Sequence, residues 1–184
     1  MSKVTERKAI DKVFILLGTA VTAVLLIVGA LAWYGHNFAT GMVRDQLSAQ
    51  KIYFPAKDSA AFKALDAADQ QQIERFAGQQ LTTGEQAKVY ADNYIADHLR
   101  KIGGGKTYAE ISDEAMKDPT NTKLQQQKAT LFQGETLRGM LLGSGYAFWM
   151  FGMIALYAAI AAFAGAIIMA VLVLLGLRHL AKLK

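Results

Sequence analysis

The feature that most constrains this chain is an uncharged run from Gly139 to Leu177. It contains no Asp, Glu, Lys or Arg and is dominated by Ala, Leu, Ile, Met and Phe. About 20 apolar residues cross the hydrocarbon core of a bilayer as a helix. A soluble chain of 184 residues has no core that could absorb the whole run as one element. The run therefore predicts a membrane anchor.

A second uncharged run extends from Val13 to Tyr34, close to the N-terminus. It is longer than the apolar region of about 7–15 residues in a cleaved signal peptide, and no clear Ala-x-Ala site follows it. Trp33 and Tyr34 at its far end are typical of the aromatic belt at a membrane interface. We therefore expect an uncleaved signal-anchor helix, with a cleaved signal peptide as the alternative.

The excess positive charge lies at the two ends of the chain. The net charge is +5. Residues 1–12 contribute four basic and two acidic side chains, and residues 178–184 contribute three basic ones, so +2 and +3 account for the whole excess. Lys and Arg beside membrane spans stay cytoplasmic. This pattern predicts two cytoplasmic tails, and the neutral middle of the chain argues against nucleic acid as a partner.

These observations predict an all-α protein of the plasma (inner) membrane, with two transmembrane helices and an extracytoplasmic helical domain between them. The expected segments are a basic tail at 1–12, a first span at 13–34, the domain at 35–138, an interfacial lead-in with the second span at 139–177, and a basic tail at 178–184. We place the outer interface of the second span at Tyr146–Trp149, with a kink at Gly143–Gly145. A hairpin made from the 139–177 run alone would need a polar turn, which the run lacks.

Local signals divide the predicted domain into short helices. Ser59 is a candidate N-cap for a helix from Ala60 to Gly78, with a break near Asp66–Asp69. Thr83 with Gln86, and Thr107 with Glu110, match the capping-box pattern in which two side chains satisfy free backbone N–H groups. They predict helices from Gly84 to Ile102 and from Thr107 to about Met116.

The remaining helices follow from proline, glycine and apolar spacing. Asp118-Pro119 should begin the last helix of the domain, because proline suits a first helical turn. Phe38, Met42 and Leu47 suggest that the first helix continues beyond the membrane with one apolar face. We expect the core of the domain to contain four aromatic side chains: Phe62, Phe76, Tyr90 and Tyr94.

Small residues recur along the second span and its lead-in, and we take them as candidate partner contacts. Small side chains let helices approach closely in lipid, where the hydrophobic effect does not drive their association. The first span offers Gly18 with Thr22, and Thr19 with Ala23, so packing between the two spans is the alternative explanation. The candidates are Ala158, Ala162, Gly165, Ala166, Ala170, Gly139 and Gly143.

The sequence offers no catalytic, cofactor-binding or metal site that we would predict. There is no Cys, and the three His are His36, His98 and His179, none of which is spaced to share a metal on one helix. Gly103–Thr107 resembles the end of a phosphate-binding loop, but that motif needs Gly at position 100, which is Arg. Neither span has an ionisable interior residue of the kind that marks ion pathways. We therefore expect no enzyme, pump or channel.

Several short motifs resemble those of a group of actinobacterial two-pass membrane proteins of unknown function. They are Lys101-Ile-Gly-Gly-Gly-Lys-Thr-Tyr-Ala-Glu110, Asp118-Pro119 before a terminal span, and Gln46-Leu-Ser-Ala-Gln-Lys-Ile52 after the first span. Such proteins often carry the label of aromatic ring-opening dioxygenase. That chemistry needs clustered His and carboxylate ligands for a non-haem iron, which this sequence lacks. The resemblance therefore implies a topology and no chemistry.

The function that these features favour is that of a non-catalytic accessory, stabilising or assembly subunit of a larger bacterial membrane complex, a respiratory complex being one example. Its partners would be the bilayer and another membrane protein. The alternative is a two-pass sensor or small-ligand-binding module that acts through a partner.

Overall fold

The computed structural model describes residues 3–182, with side chains from Glu6 onward, so the outermost residues of both predicted tails lie outside it. Within that range the chain is helical, and an isolated bridge between Tyr53 and Gln80 is its only β pairing. The α-helices are α1 (Lys3–Gln50), α2 (Ala60–Lys63), α3 (Ala67–Ile73), α4 (Gly84–Val89), α5 (Ala96–Ile102), α6 (Tyr108–Lys117), α7 (Thr122–Met140) and α8 (Phe148–Lys182). A 3-10 turn covers Glu74–Phe76, and π-helical segments cover Tyr90–Ile95 and Leu141–Ala147. The prediction of an all-α chain is confirmed for the described residues.

Two helical stretches, Glu6–Gln50 and Thr122–Lys182, are long and apolar enough to cross a membrane. Only 11% and 17% of their most apolar windows are buried inside the molecule. Side chains such as Phe14 and Ile167, exposed at 69% and 66%, therefore need an apolar surrounding other than the protein itself. The chain could cross a membrane twice, as the sequence predicts.

The described residues form two compact units. The first, which we call the hairpin unit, consists of residues 3–38 and 152–182. Within it α1 and α8 are antiparallel, because contacts move down one helix as they move up the other. A Cβ added at Gly176 would lie 3.1 Å from Ile15, and one added at Gly35 would lie 3.9 Å from Ala155.

Large side chains of one helix fill gaps left by glycine on the other. A Cβ at Gly18 would approach Val173 to 2.8 Å, and one at Gly29 would approach the Phe163 ring to 2.7 Å. Both approaches are shorter than real Cβ contacts, so a side chain at either position would force its neighbour to shift. Close backbone approach of this kind is how helices associate in lipid.

Eight positions on each helix of the hairpin unit, all buried or half-buried, follow alternate spacings of three and four residues, which together give a seven-residue repeat. We call these positions the seam. On α1 they are residues 11, 15, 18, 22, 25, 29, 32 and 36, and on α8 they are residues 152, 155, 159, 162, 166, 169, 173 and 176.

The second unit, Ala39–Phe151, is the helical unit. It has a hydrophobic core to which the end of α1 contributes Val43 and Leu47, α3 contributes Ile73 and α7 contributes Leu131. Of the four predicted core aromatics, Phe62 is fully buried, whereas Phe76, Tyr90 and Tyr94 are half-buried and pack against that core. Phe54, which was not predicted, is 2% exposed and stacks on Phe76 with 5.3 Å between ring centroids.

Both capping boxes form as predicted. The Thr83 hydroxyl accepts from the Gln86 N–H and the Gln86 side chain accepts from the Thr83 N–H, at 3.2 and 3.1 Å. Thr107 and Glu110 make the same pair of bonds at the start of α6. The backbone N–H and hydroxyl of Thr107 hold the pKa of Glu110 below its ordinary value.

Other local predictions need correction. α7 begins at Thr122 and not at Pro119, because the Asn121 side chain accepts from the Leu124 N–H and caps the helix there. The helix predicted from Ala60 to Gly78 is split between Lys63 and Ala67, slightly before the expected break.

α1 continues to Gln50 as expected, but Phe38 is 51% exposed and Met42 is 37% exposed. The buried face of this part of α1 is made by Ala39, Val43 and Leu47. Around Gly143–Gly145, where we expected a kink, the chain forms the π-helical segment Leu141–Ala147.

Candidate functional site

The small residues predicted to contact a partner fall into different environments. Ala162 and Ala166 are buried in the hairpin unit, 7% and 2% exposed. Gly165 and Ala170 are half-buried, and Ala158 is exposed. Part of the predicted stripe is thus engaged inside the chain, and Ala158 remains available to the surroundings.

Gly139 and Gly143 lie in the helical unit on an exposed side of α7 and of the π-helical segment after it. Phe132 and Met140, exposed at 56% and 58%, lie on the same side, as does Thr136. We call these five residues the α7 face. A Cβ added at either glycine would meet no described side chain within 4 Å. The α7 face is uncharged, and although the Phe132 ring contacts Tyr108 with 5.7 Å between ring centroids, both Phe132 and Met140 remain more than half exposed.

A groove of about 530 Å3 opens on the surface of the helical unit. Helical segments between residues 72 and 93 form one side of it, and the start of α8 with the preceding π-helical segment forms the other. Its lining residues are Gln72, Arg75, Glu85, Lys88, Val89, Asp92, Asn93, Tyr146, Trp149 and Met150. We refer to it as the groove.

The groove carries two ion pairs that remain open to solvent. Arg75 Nη1 lies 2.9 Å from Glu85 Oε1, and the two side chains are 54% and 50% exposed. Lys88 Nζ bonds to Asp92 Oδ2 one helical turn away, with 45% and 32% exposure. Lys88 Nζ also lies 5.5 Å from the centroid of the Tyr146 ring, within cation–π range. The groove therefore has two cations, two anions and an aromatic wall.

Local sequence explains how the aromatic wall, formed by Tyr146 and Trp149, is positioned. The Thr83 capping box starts α4 next to the groove, and Gly84 follows it directly. A Cβ at Gly84 would lie 2.3 Å from the Cβ of Trp149, so only glycine lets Trp149 pack this closely. Arg138 joins α7 to the π-helical segment beside the groove. Its Nε donates to the Ala91 carbonyl at 3.0 Å, and its Nη2 lies 3.6 Å from Asp92.

A second charged cluster lies elsewhere in the helical unit, and we call it the Asp97 cluster. Asp97 is 1% exposed and accepts from Arg100 Nη2 and Lys101 Nζ, both at 2.6 Å. Arg100 and Lys101 also contact Asp66, at 2.6 and 3.0 Å. Hydrogen bonds and charge from Lys101 and then Arg100 hold the pKa of Asp66 below its ordinary value.

The carboxylates of this cluster also have the composition of a metal site. Oxygens of Asp66, Asp69 and Asp97 lie within 4.8 Å of one another, the only such grouping of three or more His, Cys or acidic residues found in the described range. Their lone pairs already accept from Arg100, Lys101 and, at Asp69, from Asn93 Nδ2 at 2.9 Å. The cluster is an ion-pair network that joins α3 to α5.

The three histidines have partners within their own units, and the half-buried Tyr90 packs against the core of the helical unit. His98 Nδ1 donates to the Tyr94 carbonyl at 2.8 Å, and His36 Nδ1 donates to the Gly152 carbonyl at 2.9 Å. His179 Nε2 lies 3.8 Å from Asp11 Oδ2 at the other end of the hairpin unit. Burial, and then the neighbouring Tyr94, raise the pKa of Tyr90 to about 12, so its phenol stays protonated at neutral pH.

The sequence places Tyr146 and Trp149 at an interface, but it does not predict the charged residues of the groove or the Asp97 cluster as sites. Arg75 and Glu85 are ten positions apart on different helices, and Arg100 and Asp66 are separated by 34 positions. The spacings that could have indicated local pairs are the four residues between Lys88 and Asp92, and the three or four residues from Asp97 to Arg100 and Lys101.

No protein-family model, curated protein or solved structure matches this chain. The resemblance to actinobacterial two-pass membrane proteins therefore stays a prediction.

Proposed function

We propose that this protein is a non-catalytic accessory or assembly subunit of a larger bacterial membrane complex. In this proposal the hairpin unit anchors it in the plasma membrane with both termini in the cytoplasm. The helical unit then lies on the extracytoplasmic side and presents the α7 face to another membrane protein.

The observation that carries the proposal is the combination of two open glycines with the exposed apolar side chains of Phe132 and Met140 on the α7 face. Glycine inside a helix costs roughly 0.5–1 kcal/mol relative to alanine. At Gly18, Gly29 and Gly84 a close neighbour within the same unit accounts for that cost. No described neighbour does so at Gly139 or Gly143. A partner helix that approaches this face closely would supply the missing reason.

The exposed apolar side chains around these glycines support the same conclusion. Phe132 and Met140 flank them, and Leu137 on the adjoining side of α7 is 37% exposed. Contiguous apolar surface on a folded unit marks a site of interaction with protein or membrane. We expect the partner to offer an uncharged helix with small residues, since these fit a glycine face most closely.

Affinity purification from native membranes in mild detergent, followed by mass spectrometry, tests the proposal. We expect a stoichiometric membrane-protein partner with the wild-type chain and its loss in the double variant Gly139→Leu/Gly143→Leu. Gly41→Leu is the matched control, because Gly41 is a helical glycine with the same open space around its Cβ but lies in α1, outside the α7 face. A wild-type protein that purifies alone, or a double variant that keeps its partner, would refute the proposal.

Cysteine labelling tests the orientation. The chain has no native Cys, so a Cys at Lys57 in the helical unit or at Lys182 near the C-terminus gives an unambiguous signal. An impermeant thiol reagent added to whole cells should label the first and not the second. The reverse pattern would overturn the orientation.

A small-ligand-binding module is the second candidate, and the groove is the observation that favours it. Its volume falls within the range of about 300–1,000 Å3 that is common for ligand pockets. Thermal stabilisation of a purified, partner-free protein by a metabolite would support this candidate over the accessory subunit.

A further inference from the structure

We propose that the groove binds the head group of a zwitterionic phospholipid that carries a primary ammonium, as in phosphatidylethanolamine. The proposal concerns a different surface from the α7 face and does not depend on a protein partner. It rests on the charges, the aromatic wall and the apolar side chains that line the groove.

The charges of the groove match a ligand that has one positive and one negative group close together. Arg75 and Lys88 can donate to phosphate oxygens, and Glu85 and Asp92 can accept from an ammonium. Because two cations and two anions balance, an anionic head group would meet repulsion from both carboxylates. A zwitterion satisfies all four side chains.

The present ion pairs would exchange with such a ligand at little cost. Each pair is between about one-third and one-half exposed, and exposed ion pairs contribute only about 0–1 kcal/mol to folding. The head group would therefore replace weak partners by charge-assisted hydrogen bonds without exposing a buried charge. The Asp97 cluster cannot do the same, since its central carboxylate is 1% exposed.

The wall of the groove favours a lipid over a free solute. Tyr146 and Trp149 are residue types that concentrate at the level of lipid head groups. Val89 and Met150 add apolar side chains to the lining. A lipid seated here would place its head among the charges and the first part of its chains against Trp149 and Met150.

Fluorescence of Trp149 provides the measurement. The chain has two tryptophans, so the Trp33→Phe variant reports on the groove alone. The full-length variant in detergent is titrated with short-chain phosphatidylethanolamine, phosphatidylcholine and phosphatidylglycerol, and with soluble phosphoethanolamine. We expect the ethanolamine lipid to bind tightest, roughly tenfold or more above the others, because choline cannot donate N–H bonds and glycerol carries no cation.

Groove variants give the second test. Arg75→Ala/Lys88→Ala should weaken binding of the ethanolamine lipid roughly tenfold or more. Lys57→Ala, which removes an exposed ion pair with Glu74 outside the groove, should leave binding unchanged. Circular dichroism of each variant checks that it is folded.

The proposal fails if the four probes bind equally, if none changes the fluorescence, or if the folded double variant binds as the parent does. Equal affinity for soluble phosphoethanolamine and for the lipid would also overturn it, because the acyl chains would then contribute nothing. Loss of lipid binding with retention of a co-purified protein partner separates this site from the α7 face.

Discussion

The helical unit contains two charged clusters that differ mainly in burial. In the Asp97 cluster, one carboxylate is 1% exposed and bonds to two cations at once. In the groove, Glu85 pairs with Arg75, Asp92 pairs with Lys88 and more distantly with Arg138, and the four lining side chains are at least 32% exposed. The same residue types thus join α3 to α5 in one place and leave charges available to a ligand in the other. Three changes test this difference.

The largest effect is expected at the buried carboxylate. Asp97→Ala removes two charge-assisted hydrogen bonds, and bonds to charged groups contribute about 1.5–3 kcal/mol each. Because Arg100 and Lys101 can turn to water once released, we expect a total loss of about 2–3 kcal/mol in the free energy of unfolding. Denaturant unfolding of the full chain in detergent measures it.

Asp92→Ala in the groove is the matched control for Asp97→Ala. Because Asp92 is 32% exposed, we expect a loss of at most about 1 kcal/mol. Equal losses in the two variants would mean that burial does not distinguish the clusters.

A medium effect is expected at the wall of the groove. Gly84→Ala places a methyl group where Trp149 packs, and overpacking of this kind costs about 1–3 kcal/mol. The thermal midpoint should fall, and the near-UV dichroism of Trp149 should change.

Gly143→Ala provides the comparison, because its Cβ would meet open space within the described part of the chain. It should stabilise the helix by about 0.5–1 kcal/mol. A Gly84→Ala variant as stable as wild type would show that the wall adjusts freely.

The smallest effect on stability is expected when the Asp97 cluster is exposed to acid pH. Asp66 has a lowered pKa in the folded Asp97 cluster, so its contribution to stability is complete above the ordinary aspartate range of about 3.9. The contribution is lost as the pH falls through the lower pKa of the folded state. Asp66→Asn should therefore flatten the acid limb of a plot of unfolding free energy against pH. Asp58→Asn, at an exposed carboxylate outside the cluster, should leave the slope as it is in wild type.

Features encoded within a few residues could be predicted from the sequence, and features that join distant segments could not. The Thr83 and Thr107 capping boxes depend on a spacing of three residues, and both form. The predicted start of α7 at Pro119 was wrong, because the Asn121 side chain caps the helix and Pro119 cannot supply such a cap. The contact of Arg138 with Ala91 spans 47 positions, and no local pattern indicates it.

The alanine stripe of α8 shows why a uniform four-residue spacing does not predict the buried face of a helix. Residues four apart on a helix with 3.6 residues per turn drift steadily around its circumference. Ala158 and Ala166 therefore do not share one face fully, and Ala158 is exposed whereas Ala166 is 2% exposed. The buried positions follow alternate steps of three and four instead. The seam could have been predicted only from alternate spacings of three and four residues, and not from a uniform spacing of four.

The seven-residue repeat of the seam does not by itself define a unique alignment of α1 and α8. Such a repeat alone permits several registers, because sliding α8 by seven residues against α1 would again align one seam with the other. In a slid hairpin, Phe163 would face Thr22 or His36 in place of Gly29, which is the position that accommodates its ring. Ile15 and Val173 would likewise lose the glycines opposite them. The scattered glycines thus remove a degeneracy that the repeat creates, and they select one alignment of the two helices.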